Sequence, residues 1–232
     1  MEQAKYPFEV LNSETGRSQF SQYNWAADEM AIYEPLGSHL NTQQYSTDLL
    51  NFGVENGARL FENFEVRRIC SYGERYRVSG ENGTITAKKL ILAGGARLIP
   101  RLRDLGLKLS LESKTLSNFT VETSKDDFEK PNFFDRENLE YARFGFDQQT
   151  IFSNLSTSRM RIKTWRGVID EKSAEDCYAP NRIGFAGQVP GHPGLLIAMG
   201  WGGTAFKFSL EIGKRIAEAA SCTLPERKII YA

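Results

Sequence analysis

The sequence predicts a mixed α/β (α+β) protein in which an antiparallel β-sheet is inserted into an α/β domain. A helix, a hairpin and an apolar strand that ends in a glycine pair fill the first part of the chain. Alternating patterns typical of antiparallel strands follow, and a strand–glycine–helix pattern returns in residues 195–218. We therefore predict that residues 1–100 and 171–232 form one domain and residues 101–170 a second one.

Residues 1–38 are mixed in character and rich in turns, and the first clear helix pattern spans residues 42–56. Gly57 ends this helix. Three runs with strand character follow within residues 58–80: ARLFENF, EVRRICSY and RYRVSG. The Asn82-Gly83 pair that follows these runs predicts a tight hairpin turn.

The run LILAGGA, residues 90–96, predicts a buried strand with Gly94 and Gly95 at its carboxyl end. Ligands gather outside the carboxyl ends of strands in open α/β sheets. A plain turn from strand to helix is the alternative interpretation. The following run, RLIPRLRDLG, predicts a short helix.

The middle of the chain reads as antiparallel strands. Residues 107–123 and 139–165 contain alternating runs such as YARFGF and RMRIKTW. The charged segment between them, SKDDFEKPNFFDREN, predicts a solvated loop.

Residues 195–218 are the most informative stretch, LLIAMGWGGTAFKFSLEIGKRIAE. An apolar strand runs to Met199, glycines follow, and a helix carries Lys207 in its first turn. Such a turn lets backbone N–H groups approach a ligand closely, and a helix N-terminus favours negative charge. This pattern predicts a site for an electron-rich group, although the dinucleotide motif G-x-G-x-x-G does not occur in the chain.

Composition excludes several classes of function. Lys+Arg and Asp+Glu are both 29, and this balance gives no electrostatic case for nucleic acid or an anionic membrane. No apolar run approaches the length of a membrane span, and the first residues lack the pattern of a signal peptide. Three widely spaced cysteines predict a reducing compartment, the cytoplasm, and two distant histidines predict no metal site.

The motifs resemble the D-amino-acid-oxidase-type FAD-dependent oxidoreductases, and most closely their sarcosine oxidase branch of amine oxidases. Residues 33–69 resemble the family's "EP-G-G-x-L" turn and the helix and strand after it. Residues 82–96, NGTITAKKLILAGGA, resemble its strand beside the flavin. Residues 199–218 resemble its "G-F-S-G-H-G-F-K-F" helix start, which is the most specific match. In total the resemblance covers about residues 8–123 and 158–219.

The resemblance implies FAD as cofactor and a small amine or amino acid as substrate. By position, Lys207 matches a lysine that contacts the flavin and the substrate carboxylate and assists oxygen reduction. A solvated helix lysine is the alternative interpretation. The residues that the resemblance assigns to the cofactor lie in the two glycine loops and beside them: Ala93, Gly94, Gly95, Cys177, Gly202, Gly203, Thr204, Ala205, Phe206 and Lys207.

Cys177 corresponds in region to a cysteine that bonds covalently to the flavin in the sarcosine oxidase branch. Its distance in sequence to the following strand is shorter than in the family, and a free, partly buried thiol is the alternative. Two further departures affect the helix start, where Thr204 replaces a histidine and Ala205 a glycine.

The sequence therefore leaves two hypotheses about the function open. The first is the C-terminal portion of an FAD-dependent amine or amino-acid oxidoreductase, whose incomplete FAD-binding domain is completed by a missing N-terminal segment or by a protein partner. The second is a non-catalytic structural or interaction subunit that keeps the oxidase scaffold without binding FAD. Either one predicts a partner over the open sheet edge.

Overall fold

The structure, a computed structural model of the chain, describes residues 6–38, 40–122, 131–135, 140–144, 149–153, 167–221 and 230–231. The chain forms two compact units. The first unit consists of Met1–Asn41 and Leu116–Ala174, and the second consists of Thr42–Thr115 and Glu175–Ala232.

The first unit is mostly antiparallel β-structure. Two strands of a small sheet flank a short helix: β1 (Glu9–Asn12), α1 (Ser13–Gln19) and β2 (Met30–Tyr33). A second sheet has the order β11-β7-β10-β9-β8. Its strands, two of which extend past the bounds of the unit, are β7 (Glu112–Glu122), β8 (Phe133–Asp135), β9 (Glu140–Phe144), β10 (Gln149–Ser153) and β11 (Val168–Tyr178).

Two small local features stabilise this unit. Asn12 begins α1 with a capping box, because its Oδ1 accepts from the Thr15 N–H at 2.9 Å and the Thr15 Oγ1 accepts from the Asn12 N–H at 3.0 Å. Val121 and Ala142 are fully buried beside Tyr23, whose ring meets Phe133 edge to face.

The second unit contains two sheets and two longer helices. Its elements, besides short 3₁₀ turns, are α2 (Thr42–Glu55), β3 (Val66–Tyr72), β4 (Arg75–Gly80), β5 (Gly83–Ala87), β6 (Leu90–Leu92), α3 (Ile99–Leu102), β12 (Phe185–Gln188), β13 (Leu195–Met199), α4 (Ala205–Ser221) and β14 (Ile230–Tyr231). One sheet is the meander β3-β4-β5, and the other has the order β14-β12-β13-β6.

β13 is an interior strand of the sheet β14-β12-β13-β6 and is buried on both faces. Leu195, Ile197 and Met199 point into the larger core cluster. Leu196, on the opposite face, packs with Ile216 of α4. Burial on both faces explains why the strand reads as an unbroken apolar run.

The sequence predicts the fold class correctly, as a mixed α/β fold with an antiparallel sheet. The predicted helix at 42–56 and the strand–glycine–helix at 195–218 are confirmed, and a 3₁₀-helical segment with α3 spans residues 95–105. The predicted hairpin joins β4 and β5, but its two turn residues are Glu81 and Asn82, because Gly80 pairs with Gly83 and Gly83 already begins β5. Of the predicted antiparallel strands, β7, β9 and β10 are present, whereas residues 154–165 lie outside the described part of the chain.

Two local predictions are wrong. ARLFENF, residues 58–64, forms no strand, and its Leu60 and Phe61 are exposed. Phe133–Asp135 forms β8 within the segment predicted as loop. The described part of the mixed, turn-rich residues 1–38 contains β1, α1 and β2. The predicted domains, 1–100 with 171–232 and 101–170, have bounds that differ from those of the compact units, and their assignment to cofactor and substrate stays a prediction.

No helix within the described ranges has the length and apolar character to cross a membrane.

Candidate functional site

Two glycine loops of the second unit lie at the same edge of one sheet. β6 and β13 are parallel, with Leu90 beside Leu195 and Leu92 beside Ile197. The carboxyl ends of parallel neighbours meet at one edge. The loop that follows β6, residues 93–95, therefore lies beside the loop that follows β13, residues 200–204.

The loop after β13 leads directly into α4. Gly200 follows the strand with a φ of 101°, and a 3₁₀ turn at Gly202–Thr204 joins the helix. No side chain in the described part of the chain caps this turn, and Thr204 Oγ1 instead donates to the Trp201 carbonyl at 2.8 Å. The helix start is therefore open to an electron-rich group from outside.

The glycines of this loop have different surroundings. A Cβ on Gly202 would come within 2.1 Å of the Tyr178 ring, and one on Gly200 within 2.9 Å of the Ala179 Cβ. Both glycines serve close packing under the end of β11. Gly203 is exposed, and a Cβ there would meet only the Asp176 Oδ2, at 3.7 Å. Gly203 is thus the position of this loop where a ligand can approach the backbone closely.

The loop after β6 has the same division of roles. A Cβ on Gly94 would meet the Leu98 side chain at 2.6 Å. Gly95 has a φ of 59° and open space in the direction of a Cβ. The neighbouring Ala93 is exposed. Ala93 and Gly94 are the exposed residues of this loop, and the half-buried Gly95 has open space beside its backbone.

Lys207 is exposed in the first turn of α4, together with Ala205. It forms no ion pair with any residue that the structure describes. The preceding residue, Phe206, is half-buried, and its ring packs edge to face on Tyr45 of α2 with 5.4 Å between centroids. Phe206 therefore anchors the helix start while Lys207 stays free to meet a charged ligand.

Cys177 lies under the same loop but is only 6% exposed. Burial raises the pKa of its thiol, the charge of Asp176 raises it further, and a backbone hydrogen bond from Gly200 lowers it in part. The thiol belongs to the larger core cluster with Met199 and Leu92. Its burial and raised pKa are those of a core cysteine whose thiol keeps its proton.

Two residues at this site escape the sequence analysis, Asp176 and Tyr178. Burial raises the pKa of the Asp176 carboxyl, which makes no hydrogen bond or ion pair with the described residues. Tyr178 covers Gly202 and forms an isolated bridge with Trp201. Their proximity to Cys177 in sequence is the only signal for them, because the contact with the glycine loop is made across the fold.

The predicted site residues thus all lie in the second unit, in the two neighbouring loops, in the first turn of α4 and at the end of β11. Open N–H groups at a helix start, accessible glycines and one cation suit a planar group that carries or develops negative charge. Within the described ranges, no group of His, Cys, Asp and Glu could hold a metal ion.

The family model described as "DAO: FAD dependent oxidoreductase" matches residues 1–219. A monomeric sarcosine oxidase from Streptomyces avermitilis is 22% identical in an alignment that covers 92% of this chain and 65% of that protein. The chain thus spans just under two thirds of that relative.

Solved structures agree in fold. The glycine oxidase of Geobacillus kaustophilus superposes with a TM-score of 0.80 at 17% identity, over 94% of this chain and 64% of its own. The L-proline dehydrogenase of P. horikoshii superposes with a TM-score of 0.79 at 15% identity, over 95% and 67% of the two chains.

Proposed function

Since the chain belongs to the DAO family of FAD-dependent oxidoreductases, we propose that it forms the part of an amine or amino-acid oxidoreductase that holds the reactive ring of FAD. The observation that carries the proposal is the shared edge of β6 and β13, where two glycine loops flank the uncapped start of α4. Relatives named sarcosine oxidase, glycine oxidase and L-proline dehydrogenase support a small secondary or primary amine as substrate.

The residues at this edge suit the pyrimidine end of a flavin. FAD, when bound, would accept a hydride from the α-carbon of the substrate amine. The backbone at Gly203 and the first turn of α4 would face the ring edge on which negative charge develops. Lys207 would add a full positive charge there and attract a substrate carboxylate.

The mode of FAD attachment, covalent through Cys177 or non-covalent, is the finer part of the proposal. A thioether forms from the thiolate, and both burial and the raised pKa of this thiol reduce the thiolate fraction. These features favour a flavin held without a covalent bond, with Cys177 as a core residue below the loop.

We also propose that further polypeptide covers one surface of the second unit, either a longer form of the same protein or a separate partner. α2 has no buried residue, and several of its large apolar side chains are exposed: Leu49, Leu50, Phe52 and Val54. β6 lies at the end of its sheet, and Ile91 on it is exposed. Exposed apolar side chains and an open strand edge each favour such a cover. The cytoplasm stays the predicted location.

The test is titration of the purified full chain with FAD, followed by flavin absorbance and quenching of flavin fluorescence. Saturable binding, weakened by Gly203→Trp, supports the proposal. Acid precipitation then separates the two modes of attachment, because only a covalent flavin stays with the pellet and is lost in Cys177→Ala. A correctly folded chain that takes up no FAD, alone or with its polypeptide partner, would refute the proposal.

A non-catalytic subunit is the second candidate, and the departures at the helix start favour it. Thr204 and Ala205 occupy the positions where the family has histidine and glycine. The Thr204 hydroxyl donates a hydrogen bond to the Trp201 carbonyl and is therefore not directed to a ligand. A protein that binds its polypeptide partner but no flavin would establish this alternative.

A further inference from the structure

The outer face of the meander β3-β4-β5 carries a cluster of arginines. Ile69 of β3 and Tyr76 of β4 are buried in the larger core cluster, with Val78 packed against it. Because side chains alternate across a strand, the positions between them point away from the core. Paired in register across the three strands, they form the face: Arg68, Cys70, Tyr72, Arg75, Arg77, Ser79, Thr84 and Thr86.

This face carries three arginines and no acidic residue, and Glu74 lies outside it in the turn between β3 and β4. None of the residues in the three strands is acidic. The nearby Glu81 pairs with Arg67, which lies at the bulge in β3 and outside the face. Arg68, Arg75 and Arg77 form no ion pair with any residue in the described ranges. Three guanidinium groups are therefore available to a partner.

The arginines are spaced for an extended chain. Arg75 and Arg77 lie two positions apart on β4, which is about 7 Å along a strand. Arg68 is diagonal to Arg77, because Arg77 pairs with Cys70. Alternate side chains of an extended peptide repeat at the same distance, and each guanidinium can bind a carboxylate through two parallel hydrogen bonds.

One arginine is also held in position. The Arg77 guanidinium carbon lies 3.8 Å from the centroid of the Tyr72 ring. This contact occupies a face of the ring that a nucleobase would need for stacking. The formal net charge of zero likewise gives no long-range attraction for nucleic acid.

We propose that this arginine face binds an extended acidic segment of another protein, whose alternate carboxylates pair with Arg68, Arg75 and Arg77. The surface is distinct from the glycine loops, so the proposal does not depend on flavin binding. Ser79 and Thr84, whose hydroxyls lie 3.2 Å apart, add neutral hydrogen-bonding groups beside the arginines.

The experiment measures fluorescence anisotropy of a labelled peptide in which glutamate alternates with threonine, titrated with the full chain at low salt. The variant combines Arg68→Gln, Arg75→Gln and Arg77→Gln. The matched control combines Arg59→Gln, Arg103→Gln and Arg182→Gln, which removes equal charge from exposed positions of the same unit. We expect the first variant to bind about tenfold more weakly and the control to bind as wild type does, with binding reduced by added salt.

Three results would overturn the proposal: no binding by wild type, equal loss in both triple variants, or tighter binding of single-stranded DNA than of the acidic peptide. A peptide with glutamine in place of glutamate must fail to bind. Arg75→Gln alone, at the exposed end of the hairpin, serves as a second variant if the triple one does not fold, and it must weaken binding without lowering the unfolding temperature.

Discussion

The ring of Tyr178 lies directly over Gly202, so that a Cβ on this glycine would come within 2.1 Å of the Tyr178 Cε1. Gly202 also has a φ of 54°. The neighbouring backbone is fixed by a 2.8 Å hydrogen bond from the Ala179 N–H to the Gly200 carbonyl. The end of β11 thereby holds the turn from which α4 begins.

Gly202→Ala should destabilise the protein by about 2–4 kcal/mol, because the new methyl group overlaps the Tyr178 ring and a left-handed backbone disfavours alanine. Thermal or urea unfolding monitored by circular dichroism measures the change.

Gly203→Ala is the matched control, since its Cβ meets only Asp176 at an ordinary van der Waals distance. It should change stability by no more than about 0.5 kcal/mol. Gly202→Ala should lower the free energy of unfolding less in a Tyr178→Ala background than in wild type. Equal effects of Gly202→Ala and Gly203→Ala would contradict the role of Tyr178.

Lys207→Met should slow reoxidation of the bound flavin by about tenfold or more, because it removes the positive charge nearest the proposed ring edge. Stopped-flow absorbance after anaerobic reduction measures the rate. Lys214→Met, two turns farther along α4, is the control and should reoxidise as wild type does. Unchanged reoxidation in Lys207→Met would leave this residue as an ordinary surface lysine.

Asp176→Asn should raise the stability of the protein near pH 7, by less than about 1 kcal/mol because the carboxylate is still partly solvated. Burial raises the pKa of this carboxyl in the folded state. The buried carboxylate therefore destabilises the fold at pH values above its pKa, whereas the protonated carboxyl has no such cost at pH values well below it. The gain should therefore disappear as the pH falls through the carboxyl range. Urea unfolding of wild type, Asp176→Asn and the exposed control Glu175→Gln over that range checks the sign.

Cys177 should make the protein less stable as the pH rises above about 8.5, the ordinary thiol pKa. Its pKa is raised on folding, so the folded state binds more protons in this window and stability falls with increasing pH. Cys177→Ala should have a shallower slope there, whatever its overall stability. The raised pKa of Tyr76 acts in the same direction at higher pH, and it affects both proteins equally. Identical slopes of stability against pH in wild type and Cys177→Ala would show that burial does not raise the pKa of this thiol.

Periodic segments with a glycine at their end are the parts of the fold that sequence predicts best. β13 is apolar throughout because both of its faces are buried, and α4 has an apolar stripe because one face is buried. Gly200 and Gly202, which lie between them, adopt the positive φ that the turn requires. The helix at 42–55 is predicted equally well, although it is not buried in this structure.

Elements that depend on distant partners are the ones that sequence misses. Strand propensity largely reflects neighbouring strands, so ARLFENF resembles a strand but pairs with none among the described residues. Conversely, β11 is a long, mostly exposed strand with several charged residues, and it gives no alternating signal. Asp176 reaches Gly203 only because β11 ends there, so the sequence pattern indicates Lys207 but not Asp176.

The parallel pairing of β6 with β13 also has a kinetic consequence. Leu90 and Leu195 are neighbours in the sheet but about a hundred residues apart in the chain, and the first unit's second segment lies between them. Closure of so long a loop costs entropy before the new contacts repay it, and such pairings form slowly. The edge that carries both glycine loops should therefore be assembled late in folding, after the local meander β3-β4-β5 has formed.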